Sequence, residues 1–150
     1  MSSNSGFRVD TEVSRPDASC KVLPLPLCGA LVPAGFPSPA DDFVEDTLDL
    51  NTFLVRHPAA TFFVRVQGES MVEAGIHPGD ILIVDRALEA RDKSVVVAVV
   101  DGEFTVKRIR RMEKRLFLVA ENPTYPALEI APEMEFRVWG VVTHVIHPFC

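Results

Sequence analysis

Ser94-Val95-Val96-Val97-Ala98-Val99-Val100-Asp101-Gly102-Glu103-Phe104-Thr105-Val106-Lys107-Arg108-Ile109 decides the fold. Valines 95, 96, 97, 99 and 100 are β-branched and follow no helical period, so 94–101 reads as a strand. Asp101-Gly102 stands between two apolar runs. That dipeptide signals a tight hairpin, because both of its residues tolerate positive φ. The return strand then covers 103–110.

The same reading extends outward on both sides. Strands are expected over 61–67, 80–85, 115–120 and 135–146 as well. Glu113-Lys114 marks a second hairpin turn, and His77-Pro78-Gly79-Asp80 a turn ahead of Ile81-Leu82-Ile83-Val84. Asn122-Pro123 begins a loop. The body is therefore mainly β, built of antiparallel hairpins. Ahead of it, two short helices are expected. Ser38 would cap the first, with Pro39 in its first turn, Asp41, Asp42 and Glu45 near its positive end, and Phe43, Val44, Thr47 and Leu48 on one face. Asp49 would cap the second, Leu50 to Arg56.

Residues 1–37 differ from the rest. Prolines at 16, 24, 26, 33 and 37 exclude a helix and hold the chain extended. Leu23, Leu25, Leu27 and Leu31 make this arm too apolar for a free linker, so it either forms an edge strand or lies along a cleft. The expected division is an arm over 1–37 and a β domain over 38–150.

The bulk numbers exclude several classes. A chain of 150 residues, 47% hydrophobic and 24% charged, is one globular domain in size and make-up. A net charge of −6 opposes a general electrostatic grip on nucleic acid or an anionic membrane. No apolar run approaches the length of a membrane span, and the polar start Met1-Ser2-Ser3-Asn4-Ser5 lacks the order of a secretory signal. Cys20, Cys28 and Cys150 suggest neither a disulfide framework nor a metal site, which fits a reduced, cytoplasmic protein.

Two residues carry candidate chemistry. The run Phe62-Phe63-Val64-Arg65-Val66-Gln67-Gly68-Glu69-Ser70-Met71 brings a strand to a glycine and then presents a serine. Such a serine is either an ordinary turn residue or a nucleophile flanked by free backbone N–H groups. Lys107 shares a strand face with Thr105 and Ile109. On a covered face it loses hydration, its charged form is disfavoured, and its amine can act as a base toward a serine hydroxyl. The alternative is that Lys107 opens a solvated basic edge running through Arg108, Arg110, Arg111, Lys114 and Arg115. His57, His77, His144 and His147 show no metal-ligand spacing and are read as structural. No cofactor or metal is expected.

Gly68-Glu69-Ser70-Met71, Gly75-Ile76, Gly79-Asp80-Ile81-Leu82 and Val96-Val97-Ala98 through Asp101-Gly102-Glu103-Phe104-Thr105-Val106-Lys107-Arg108 together resemble the LexA-like, S24 family of self-cleaving peptidases. The resemblance runs from about Pro24 to Val145 and is nearest to the UmuD-type subunits of SOS mutagenesis. It implies a LexA- and signal-peptidase-like β-rich domain of twisted sheets. It implies a Ser–Lys dyad, with Ser70 the nucleophile and Lys107 the general base, and an oxyanion site made of backbone at Glu69 and Ser70. The substrate it implies is the chain's own arm, cut at a small-residue–glycine bond, for which Cys28-Gly29 is the candidate. The partners it implies are a second copy in a homodimer, a RecA filament on single-stranded DNA as the stimulus for cleavage, and a UmuC-type Y-family polymerase for translesion synthesis, with no sequence-specific DNA binding and no membrane.

Three competing functions are distinguishable. A non-catalytic accessory subunit of a repair polymerase would work without Ser70. A LexA-type repressor would need a helix-turn-helix where the sequence is proline-broken. A leader peptidase would need a membrane anchor.

Overall fold

The computed structural model describes residues 22–29, 31–37 and 44–150. They fall into two compact units, one reaching Arg56 and the other starting at His57.

In the first unit, β1 (Leu25–Cys28) pairs antiparallel with β2 (Val44–Leu48), Leu25 opposite Leu48 and Pro26 opposite Thr47. Proline is tolerated there because the sheet has only two strands and Pro26 needs no ladder donor on its outer side. The register slips between Leu27 and Cys28. A helix was expected through Val44 and Leu48, and here the chain is strand instead. The helical face was short, and β-branched Val44 and Thr47 suit the pairing with β1 better than a helix too short to hold itself. The other residues of that expected helix, 38–43, lie outside the described residues. The second helix is present as α1 (Leu50–Leu54), capped as expected: Asp49 accepts from Thr52 N–H at 3.0 Å and from the Thr52 hydroxyl at 2.6 Å. Those bonds from Thr52 hold the Asp49 carboxyl below its ordinary pKa.

The second unit is a seven-stranded antiparallel sheet. Its strands are β3 (Thr61–Arg65), β4 (Ile81–Asp85), β5 (Val95–Val100), β6 (Glu103–Met112), β7 (Arg115–Val119), β8 (Leu128–Glu129) and β9 (Phe136–Ile146), in the spatial order β3-β4-β9-β5-β6-β7-β8. The valine run explains itself in this order. β5 lies between β9 and β6, and both of its faces are covered. Val97 joins a core cluster with Val64, Val66, Met71, Leu82, Val84 and Val106. Val96 and Ala98 point the other way and join Ile109 and Leu118. A strand buried on both sides needs apolar residues at every position, which is why its hydropathy does not alternate. Asp101 and Gly102, at φ 49° and 81°, close the β5–β6 hairpin. The register shifts twice along β9, opposite Ile83/Val84 and opposite Val97/Ala98. Such bulges bend a strand and add to the twist of the sheet.

Candidate active site

Ser70 is placed by a turn that the sequence builds step by step. β3 runs out at Arg65, and Val66 still bonds across to the next turn, its N–H donating to the Asp80 carbonyl at 2.8 Å. Gly68 sits at φ 89°, a left-handed conformation that side chains resist, and turns the chain back. Met71, 2% exposed, is sunk in the core directly after Ser70. Its carbonyl accepts from the N–H groups of Ala74 and Ile76. The serine is thus held between a glycine hinge and a buried anchor, and stays half-buried at the lip of a cleft.

Lys107 reaches the same point from β6. It pairs with Val96 of β5, and Thr105 with Ala98. The strand period places Lys107 and Thr105 on one face, and their side chains meet: Lys107 Nζ donates to Thr105 Oγ1 at 2.8 Å. It also donates to the Val106 carbonyl at 3.1 Å and lies 3.0 Å from Ser70 Oγ. Burial lowers the lysine pKa below its ordinary value of 10.5. The partner set suits a neutral amine, which has two N–H donors and one lone pair. Thr105 Oγ1 and the Val106 carbonyl take the donors, and the lone pair is left facing the Ser70 hydroxyl.

Its neighbours on the basic run are arranged differently. Arg108 is paired with Glu121, Arg110 with Asp92, and Arg115 with Glu129 through two bonds of 2.7 and 2.6 Å. Among the described residues no carboxylate is paired with Lys107. The run therefore divides: three arginines form ion pairs, Arg111 and Lys114 are exposed, and Lys107 turns to hydroxyls and a carbonyl.

The backbone around Ser70 is also set. Asn122 Nδ2 donates to the Glu69 carbonyl at 2.9 Å, and Glu73 N–H donates to the Glu121 carbonyl at 2.9 Å. The Glu69 carbonyl and the Ser70 N–H belong to one planar peptide and point in opposite directions. By holding the carbonyl, Asn122 aims that N–H. Among the described residues no acceptor engages the N–H groups of Glu69 or Ser70, so both remain available to a ligand. The cleft beside them has a volume of about 650 Å³, and its lining includes Gly68, Ser70, Phe104, Lys107, Tyr125 and Leu128. An amine poised on a serine hydroxyl, free amides alongside and an apolar-walled cleft can together support acyl transfer.

The sequence identified Ser70, Lys107 and Glu69, and these come together. It did not identify Thr105 as a partner of the lysine, though their i, i+2 spacing was the available signal. It did not identify Asn122, whose role depends on a contact 53 residues away in sequence. Cys28 and Gly29 belong to the first unit, Cys28 as the exposed last residue of β1. Of the histidines, His57 Nδ1 lies 2.6 Å from Asp85 Oδ2 and His144 Nδ1 lies 3.0 Å from the Thr143 hydroxyl.

Residues 26–143 match the model of a family described as Peptidase S24-like. The chain is 51% identical to Protein SamA of Salmonella typhimurium over 122 residues, 81% of this chain and 84% of that protein. It is 42% identical to Protein MucA of Escherichia coli over 142 residues, 93% of this chain and 97% of that protein. It is also similar to a LexA repressor of Delftia acidovorans, 38% identical over 136 residues, 91% of this chain and 60% of the repressor. Among the described residues, no helix is long and apolar enough to cross a membrane.

Proposed function

The chain belongs to the Peptidase S24-like family, and from that premise we propose that it is a self-cleaving serine peptidase that removes its own N-terminal arm between Cys28 and Gly29. The observation that carries the reading is the 3.0 Å approach of Lys107 Nζ to Ser70 Oγ, with no carboxylate among the described residues paired to the lysine.

The proposed steps start from that approach of the amine to the hydroxyl. Neutral Lys107 takes the Ser70 hydroxyl proton as Oγ attacks the carbonyl carbon of Cys28. The oxyanion that forms draws on the N–H groups of Glu69 and Ser70. The C–N bond to Gly29 then breaks, and the ammonium of Lys107 returns the proton to the departing amine. Residues 1–28 remain as an ester on Ser70. Lys107, neutral again, takes a proton from water, whose oxygen attacks the ester carbonyl, and Ser70 Oγ leaves with the proton that Lys107 returns. The net change is one peptide bond and one water converted to a carboxylate on Cys28 and an amine on Gly29. In this reading residues 1–37 are the substrate arm and 38–150 the peptidase domain. Its prolines favour an extended substrate strand, and glycine after the scissile carbonyl leaves room for an approaching base.

The processed form acts, on this proposal, in SOS-induced translesion synthesis as a homodimer in the cytoplasm. A RecA filament on single-stranded DNA stimulates the cut, and a UmuC-type Y-family polymerase receives the shortened protein. Support comes from the alignments with SamA and MucA, which run through most of both chains. The test is intact mass after incubation at alkaline pH, and separately with RecA filaments. Wild type should yield residues 29–150, while Ser70→Ala and Lys107→Ala remain whole. The same 28/29 cut in Ser70→Ala would overturn the proposal.

A further inference from the structure

Away from Ser70 and Lys107, the fold gathers three side chains of metal-ligand type: His77, Asp80 and His147. One ligand atom from each lies within 4.8 Å of the others. The juxtaposition follows from the sheet. His77 and Asp80 lie at the two ends of the turn that leads into β4, which Gly79 completes at φ 87°. Ile81 pairs antiparallel with Ile146 of β9, so the residue before Ile81 stands opposite the residue after Ile146. Asp80 and His147 are those two residues.

The donor set suits a cation. Asp80 is 1% exposed. Its Oδ2 accepts from the His77 backbone N–H at 2.8 Å, and its Oδ1 lies 2.5 Å from the His147 ring nitrogen. A buried carboxylate thus lies beside two imidazoles whose ring centroids are 5.0 Å apart. His77 Nδ1 is buried and has no hydrogen-bond partner among the described residues. An unpartnered buried polar atom is uncommon and costly, and a ring nitrogen in that position is an idle donor atom.

We propose that His77, Asp80 and His147 bind a divalent transition-metal ion of the zinc class. Two imidazoles and one carboxylate are ligands that zinc, cobalt and nickel accept, with water free to take a fourth position. At bond lengths of about 2.0–2.2 Å, tetrahedral ligand atoms stand about 3.4 Å apart. The set must therefore close by about 1.4 Å from its 4.8 Å spread. His147 can supply that movement: its side chain is 38% exposed and it follows the last strand. Its ring can carry its proton on either nitrogen, which leaves the other free as a ligand. The ion would join the 77–80 turn to the end of β9. The same turn holds Val66, through Val66 N–H to the Asp80 carbonyl and Gly79 N–H to the Val66 carbonyl. It would thus fasten the strand end that leads to Ser70 without entering the cleft.

The test uses the full-length chain, stripped with a chelator and titrated with Co²⁺ as a visible probe. Saturable absorption at one equivalent is expected, displaced by Zn²⁺, with Zn²⁺ also raising the melting temperature. His77→Ala and His147→Ala should each weaken Co²⁺ binding by at least about tenfold, no less than loss of an outer-shell partner does. His144→Ala and Cys150→Ser should bind as wild type does. His147 lies past the last strand, so its variant reports on binding even if His77→Ala proves unstable. Absence of saturable binding would overturn the proposal. So would binding that survives His147→Ala, or that disappears with Cys150→Ser or His144→Ala.

Discussion

Replacing Thr105 by aspartate places a carboxylate where a hydroxyl now lies 2.8 Å from Lys107 Nζ. The swap nearly preserves side-chain size, so the main change is charge. At present burial pulls the lysine pKa down, and no carboxylate among the described residues opposes it. An opposite charge at hydrogen-bond distance favours the ammonium and shifts such groups by enough to change the neutral fraction about 10- to 1,000-fold. The site is half-exposed, which places the effect toward the lower end. Self-cleavage of Thr105→Asp at neutral pH should therefore fall by about tenfold or more, and recover as the pH is raised. Thr105→Asn separates the two contributions. It disturbs the hydrogen bond without adding charge, so it should lower the rate evenly across pH and leave the shape of the profile unchanged. The assay is single-turnover appearance of residues 29–150, followed by intact mass across a pH series. If Thr105→Asp cleaves at the wild-type rate at neutral pH, or if its loss is the same at every pH, Lys107 is not the proton acceptor.

The wild-type pH–rate profile should rise to a plateau with a midpoint below 10.5, because burial depresses the Lys107 pKa. A profile flat from neutral pH upward would exclude a lysine base. The same depression links to stability: its contribution is fully present above 10.5 and is lost as pH falls through the folded-state pKa. Lys107→Met should therefore be more stable than wild type at neutral pH and lose part of the pH slope in urea melts; an unchanged slope would contradict this. Asn122→Ala releases the Glu69 carbonyl and so the aim of the Ser70 N–H, although Val72 N–H still approaches that carbonyl at 3.4 Å. Complete loss of an oxyanion donor costs about 100- to 1,000-fold, so this partial release should slow cleavage by about tenfold while the urea midpoint moves little; cleavage at the wild-type rate would refute the positioning. Gly140→Ala puts a Cβ 2.5 Å from Val84 Cγ1 in the core, and a loss of about 1–3 kcal/mol in urea melts is expected; a neutral substitution would mean that β9 and β4 can separate there.

Much of the fold was legible because its strands announce themselves locally. Val95–Val100, the Asp101-Gly102 turn and the run to Ile109 carry β-branching, turn chemistry and period in adjacent residues, and the strands fall within a residue or two of expectation. β2 was not legible. Val44–Leu48 contains acidic and apolar residues at spacings that also suit a helix, and only pairing with Leu25–Cys28 decides for a strand. β8 has two residues, Leu128 and Glu129, too short for any periodicity to register. The His77–Asp80–His147 cluster was hidden for a related reason. No ligand spacing along the chain suggests it, and it exists because Ile81 pairs with Ile146.

The site shows the same limit in sharper form. Lys107, Arg108, Arg110, Arg111, Lys114 and Arg115 are one basic run in the sequence, and nothing in the run says which cation differs. Carboxylates brought in from elsewhere and exposure together make the distinction: Glu121 reaches Arg108, Asp92 reaches Arg110 and Glu129 reaches Arg115, while Arg111 and Lys114 are exposed and Lys107 is half-buried. Each such pair favours the charged form of its partner. Lys107 is passed over and instead meets Thr105, the Val106 carbonyl and Ser70. A base that must be neutral needs burial, and it equally needs the absence of an anion. Period-2 geometry could supply the first from Thr105, Lys107 and Ile109 alone. The second depends on where the carboxylates of distant segments come to rest, so it could be read only from the folded chain.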